Sequence, residues 1–257
     1  MNLSRLLRIA IEDLKYKYAG TKLGGLWIII QPVLQASIYI VLYAFIFRVS
    51  PPGLSANEYL IFLLLGIALV LDIGETILLA ISGMRSSLVS ITQNIYPIEY
   101  LPLRFCIQTK PQLLSISYAG LFLALCLNVK LSPIAFAMPI LSAILLTCFE
   151  YGFVCLVLPF AMVIKDIQQL LQYIIQFIVI LSPFSYTNAM LSGPLSALIA
   201  LNPISPLIRL NQSALASFSF SQLFVYFLIS AVVSIAIALA GQKVYVSALR
   251  LILDEAA

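Results

Sequence analysis

LFVYFLISAVVSIAIALAGQKVYV, residues 223–246, carries a single charged residue, Lys243, and most of it lies in a run from Leu210 to Gln242 that has none. About 20 helical residues cover the ~30 Å hydrocarbon core of a bilayer. Residues 167–208 are likewise free of charge. Either run is long enough to cross, and neither has the polar surface to stay in water. Across all 257 residues, 62% are hydrophobic and 9% charged, with mean hydropathy +1.08; a soluble domain carries ~25% charged residues. The reading is an all-α polytopic membrane protein, one transmembrane domain over 1–257.

Six apolar spans are expected, at 26–47, 59–82, 103–127, 131–164, 167–185 and 223–246. As one straight helix the fourth, 34 residues long, is ~51 Å, so a break or kink at Pro139, Gly152 or Pro159, or a protruding end, is expected. Before the spans, Leu3, Leu6, Leu7, Ala10, Ile11 and Leu14 recur at helical spacing while Arg5, Arg8, Glu12 and Lys15 fall elsewhere. That pattern makes 1–22 an amphipathic helix lying at the membrane interface rather than a cleaved signal. A polar loop is expected at 85–102. Residues 187–222, punctuated by Gly193, Pro194, Pro203 and Pro206, contain an apolar patch at 195–201 too short to cross; they read as re-entrant or interfacial structure.

Orientation follows from the Lys and Arg count on each side. With the N-terminus in the cytoplasm, Arg5, Arg8, Lys15, Lys17, Lys22, Arg85, Arg104, Lys165, Lys243 and Arg250 lie inside, against Arg48, Lys130 and Arg209 outside. Both termini are therefore placed in the cytoplasm and 187–222 on the far side.

Chemistry by this chain alone is not expected. It has no histidine to act as base or metal ligand, and Cys106, Cys126, Cys148 and Cys155 lie in apolar runs without C-x-x-C spacing. We expect no catalytic residue, no metal and no cofactor held by this chain. There is also no G-x-x-x-x-G-K-[ST] phosphate loop, so a pump built on this chain draws its energy from another chain or from an ion gradient.

Four ionisable residues stand at bilayer depth: Asp72, Glu75, Lys110 and Glu150. Each costs ~2.5–3.5 kcal/mol at the centre of a span and calls for a partner or a function. Counting rise from the expected span ends puts Glu75 and Lys110 at the same height, so a Glu75–Lys110 ion pair is expected, as a register-fixing pair rather than a proton relay. Uncharged polar residues form rows. On the fifth span Lys165, Gln169, Gln172 and Gln176 share a face, with Tyr173 beside them; the first carries Gln31, Gln35, Tyr39 and Tyr43, and the third Gln108, Gln112 and Ser115. Lipid does not accept such rows. They face protein, as interhelical hydrogen-bond glue, or water, as a pathway whose amides and aromatic faces suit a polyhydroxylated solute.

Several short motifs then resemble a known family. Asp13-Leu14-Lys15-Tyr16-Lys17-Tyr18, Leu23-Gly24, Trp27 and Gln31-Pro32 look like its entry segment, and Ile91-Thr92 through Tyr96-Pro97, with Pro102, look like its loop between spans two and three. Lys165-Asp166-Ile167, Ser182-Pro183 and Tyr186 resemble its turn into span five, and Leu201-Asn202-Pro203 with Pro206 its Asn-Pro element. Together, over nearly the full length, they are similar to the membrane permeases of ABC-2-type polysaccharide exporters, which handle O-antigen (lipopolysaccharide), capsule or teichoic acid. Gln93 and Ile98 stand where that family often has basic residues, and Lys165 where it has arginine.

The resemblance implies a homodimer in the bacterial inner membrane, working with two copies of a separate cytoplasmic ABC ATPase that binds ATP and Mg, and moving a lipid-linked polysaccharide. Membrane lipid surrounds it, and nucleic acid has no role. It further implies that Ser90, Ile91, Thr92, Gln93, Asn94, Ile95, Tyr96 and Pro97 form the ATPase coupling loop. Leu195, Leu198, Leu201, Asn202 and Pro203 would belong to a far-side gate, and Gln31, Gln35, Tyr39, Tyr43, Gln169, Gln172, Tyr173 and Gln176 to the substrate channel. The rival expectations are an ion-coupled secondary carrier using Asp72, Glu75 and Glu150, an ABC-2 permease for drugs or lipids, and, more remotely, a membrane-embedded enzyme.

Overall fold

The computed structural model of the chain describes residues 3–49, 51–92, 100–164, 166–186, 190, 199 and 201–256. Among these residues the fold is all-helical, and a lone antiparallel bridge joins Leu131 to Leu215. In order, α1 (Leu3–Lys17) leads through a 3-10 turn, Gly24–Leu26, into α2 (Trp27–Ile40), which continues as a π-helical segment, Val41–Ile46. Then come α3 (Ala56–Thr92), α4 (Leu101–Cys126), a second 3-10 turn at Ala135–Ala137, α5 (Met138–Val163), α6 (Ile167–Leu181), α7 (Ser205–Gln212) and α8 (Phe220–Ala256).

Among the described residues, four stretches are long and apolar enough to cross a membrane: Gly24–Ile46, Ala56–Met84, Ala135–Ala161 and Phe220–Ala248. They correspond to the first, second, fourth and sixth expected spans. The third and fifth fall short for different reasons. The first half of α4 carries Arg104, Gln108, Thr109, Lys110 and Gln112, and α6, at 15 residues, reaches only ~22 Å.

The two longest helices begin with reciprocal caps that the sequence spells as Ser-x-x-Glu and Ser-x-x-Gln. Ser55 Oγ accepts from the Glu58 amide, at 3.3 Å, while Glu58 Oε2 accepts from the Ser55 amide, at 2.8 Å. Ser219 and Gln222 repeat the arrangement before α8. Each cap satisfies amides that a helix start leaves without partners.

Several boundaries differ from expectation. The polar loop expected at 85–102 is helical as far as Thr92 and again from Leu101. The fourth span starts late, because 131–137 are taken up by the bridge to Leu215 and the 3-10 turn. Its helix is then 26 residues and is not interrupted at Gly152. Pro139 sits in the first turn, where a missing N–H leaves no bond unmade. Gly152 is a contact instead: a Cβ there would strike the α8 backbone at Ile237, and one at Gly241 would strike Gly152 itself. α5 and α8 therefore meet backbone to backbone, as small residues permit in membranes.

The core is centred on α3. Residues 61–74 are buried without a break, as expected of a helix apolar all round; 89% of its spanning window is enclosed, against 11% for the windows of α2 and of α8. α1 lies against α4, held by a bidentate pair in which Arg104 donates to both oxygens of Asp13 at 2.8 Å.

Candidate functional site

α2 leans on α3 and α4 with one face only, burying Pro32 and Ala36 and leaving Gln31 and Gln35 exposed. Its polar row borders a cleft of about 530 Å³ walled by α2, α3, α4 and α6. Gln31, Gln35 and Tyr39 enter from α2, Glu75 and Ser82 from α3, Gln112 from α4 and Gln176 from α6, among Val70, Leu71, Leu78 and Ile175. Three rows that the sequence separates thus meet at one place. Gln112 Nε2 is buried with no hydrogen-bond partner among the described residues. Gln31 Oε1 accepts from the Tyr18 hydroxyl at 2.9 Å.

The rest of the expected channel divides. Tyr43 is taken up by aromatic packing, edge-on to Phe184 at 5.3 Å and to Phe47 at 5.7 Å. Tyr39 packs edge-on to the same Phe184 at 6.1 Å while still bordering the cleft. Gln169 and Tyr173 are exposed on α6. Gln172 has its backbone in α6 but its side chain lies outside the description, and Lys165 lies outside the described residues altogether.

The expected Glu75–Lys110 pair is not formed. The Lys110 ammonium instead donates to Asp72 Oδ2 and, at 2.5 Å, to Glu150 Oε2, while Glu75 accepts from Lys17 at 2.6 Å. Height was not the error. A 2.7 Å hydrogen bond between the Thr76 and Thr109 hydroxyls sets the register of the antiparallel α3 and α4, and in that register residues 75 and 110 stand level. Azimuth decides: Asp72 and Thr76, four apart, share the face toward α4, whereas Glu75 is rotated off it toward the cleft. The long lysine stem crosses one turn to Asp72.

Glu75 and Gln31 are the points where α1 reaches the cleft. Lys17 ends α1 on Glu75, and Tyr18 follows on Gln31. The pKa of Lys17 is pulled down by burial, and the hydrogen bond and charge of Glu75 more than offset this, so it stands above the ordinary lysine value.

A second polar assembly went unread in the sequence. α7 presents Arg209, Asn211 and Gln212, and Ser213 follows; all are buried. Asn211 Nδ2 donates to the Leu65 carbonyl at 2.7 Å and to Ser117 at 3.1 Å, and its Oδ1 accepts from Ser142 at 3.1 Å. Gln212 Nε2 donates to the carbonyls of Phe62 and Phe184, and its Oε1 accepts from Arg209, which also reaches the Tyr186 carbonyl at 2.9 Å. This node ties α3, α4 and α5 to the turn after α6. The charge count sets Arg209 on the far side, within the re-entrant or interfacial segment, and does not foresee its burial; the available signal is the run Arg209, Asn211, Gln212, Ser213 in an otherwise apolar neighbourhood.

Of the expected gate, Leu195 and Leu198 lie outside the described residues. Leu201 is exposed; Asn202 accepts from the Ile204 amide at 3.0 Å and, with Pro203, forms the turn into α7. Of the expected coupling loop, Ser90, Ile91 and Thr92 close α3 as helix, a correction to the loop reading, and Gln93, Asn94, Ile95, Tyr96 and Pro97 lie outside the described residues. Comparison with models of known protein families and with curated protein sequences gives no match to this chain.

Proposed function

We propose that this chain is the membrane subunit of an ATP-driven exporter that moves a polysaccharide, lipid-linked at one end, across the bacterial inner membrane. In this reading α4 and α6 complete six crossings, two copies pair around the pathway, and a cytoplasmic ATPase supplies the energy. The supporting observation is the cleft. Gln31, Gln35, Tyr39, Gln112 and Gln176 collect on one side of a helix whose spanning window is only 11% enclosed within the protomer. Amides at bilayer depth do not face lipid, so this side belongs against a second copy with water or solute between. Amides hydrogen-bond hydroxyls and aromatic rings pack on sugar C–H surfaces; many weak contacts hold a sliding polymer without trapping it. Nucleotide binding at the partner would shift the helices between two conformations of unequal nucleotide affinity.

The test is purification in mild detergent with identification of the co-eluting chains, followed by transport assays on membrane vesicles. An ATPase arriving at equal stoichiometry, with export lost on ATP depletion, supports the proposal. Export that persists without ATP as long as an ion gradient stands would sink it in favour of a secondary carrier.

A further inference from the structure

The cluster of Asp72, Lys110 and Glu150 has no role in that reading. α3, α4 and α5 each give it one ionisable side chain. The two carboxyl groups are at most 1% exposed and Lys110 is 12% exposed. One oxygen of each acid is held by the ammonium; the other two, Asp72 Oδ1 and Glu150 Oε1, are buried without a hydrogen-bond partner among the described residues. Two carboxylates against one ammonium leave one negative charge over.

The surroundings hold no second cation for it among the described residues. On α3, Glu75 is taken by Lys17 and Thr76 by Thr109. On α4, Cys106 is a buried thiol and Arg104 is held by Asp13. α5 adds Tyr151 and Cys155, and α8, packed on α5, adds the phenol of Tyr245 while its Lys243 is exposed. α2 and α6 bring Gln31, Gln35, Tyr39 and Gln176 to the cleft beside Glu75, none of them a cation, and Arg209 of α7 is engaged with Gln212 and Tyr186. A lone charge in an apolar interior is neutralised rather than kept.

We infer that Asp72, Lys110 and Glu150 form a one-proton binding site, the proton shared between Asp72 and Glu150 through the two oxygens that Lys110 leaves free. An O–H bond forms at one oxygen and donates to the other, and the cluster's charge rises from one negative to zero. Two otherwise orphaned oxygens are satisfied by the same event. The inference does not depend on the exporter reading.

Infrared spectroscopy of the purified full-length protein in lipid nanodiscs at neutral pH tests it. A carboxylic-acid C=O band is expected, lowered in D₂O and moved by ¹³C labelling of aspartate and also of glutamate. Asp72→Asn and Glu150→Gln should each abolish it, since either leaves one carboxylate for one ammonium. The labelling arm needs no substitution to fold. No acid band at neutral pH, a band moved by only one label, or a band surviving both substitutions overturns the shared proton. So does stability that follows the identity of an added monovalent cation with no acid band, which assigns the site to a metal ion.

Discussion

Gln212 and Gln176 are the same residue in the same apolar chain, and the structure uses them in opposite ways. Gln212 sits in the α7 node with both ends of its amide engaged, beside Asn211, whose three hydrogen bonds reach three helices. Gln176 borders the cleft with Gln35, and among the described residues neither makes a side-chain hydrogen bond. A closed node is a fastener, because every polar group it buries is satisfied within the protomer and nothing remains for a ligand. An open row retains its donors and acceptors. At bilayer depth that surplus is tolerated only where something polar comes to meet it, so the cleft, and not the larger polar inventory of α7, is the place to look for a solute.

The contrast can be broken at either end. Asn211→Leu should have the largest effect, about 3 kcal/mol, because it removes three buried hydrogen bonds, to the Leu65 carbonyl, Ser117 and Ser142, at once; unfolding midpoints in detergent measure it, and a wild-type midpoint would dissolve the node as a structural unit. Gly66→Ala probes the same node from α3. Its Cβ would lie 2.8 Å from Phe184 Cα and crowd the Gln212 amide, so about 1–3 kcal/mol should be lost. At the open row, Gln35→Leu and Gln176→Leu should leave stability within about 0.5 kcal/mol of wild type. Transport should still fall roughly fivefold for each hydrogen bond of about 1 kcal/mol withdrawn from solute. Normal transport in both variants would reduce the row to packing.

The smallest effect sharpens the edge between the two regions. Lys17→Gln removes the half-exposed tie from α1 to Glu75 and should cost under about 1 kcal/mol at neutral pH. Its pH dependence has a definite sign. Lys17 is raised above 10.5 in the folded protein, so its contribution is complete below that value and disappears as pH climbs through the folded pKa. From neutral pH upward, the stability curves of wild type and variant should therefore run parallel at first and converge in alkaline solution; convergence near neutral would mean that the pair is not formed.

Much of this could be read directly. The long charge-free runs announced membrane-spanning helices, and the period of Gln31, Gln35 and Tyr39 placed them on one face. Asp72, Lys110 and Glu150 were recognisable as residues in need of partners. Their pairing was not, since height along antiparallel helices follows from counting residues whereas azimuth depends on how each helix is rotated against its neighbours. The late start of α5 had the same origin: Leu131 bridges Leu215, a contact between distant segments that no local pattern records.

Composition and period alone thus determined that the chain belongs in a bilayer, that it is helical, and which residues share a helix face, because the solvation of apolar surface and the 3.6-residue turn are local properties. Only the tertiary structure decided which polar residues are spent on one another and which stay available. That choice is made by rotation and distance between helices remote in sequence, where a displacement of one side-chain length turns a ligand contact into an internal hydrogen bond.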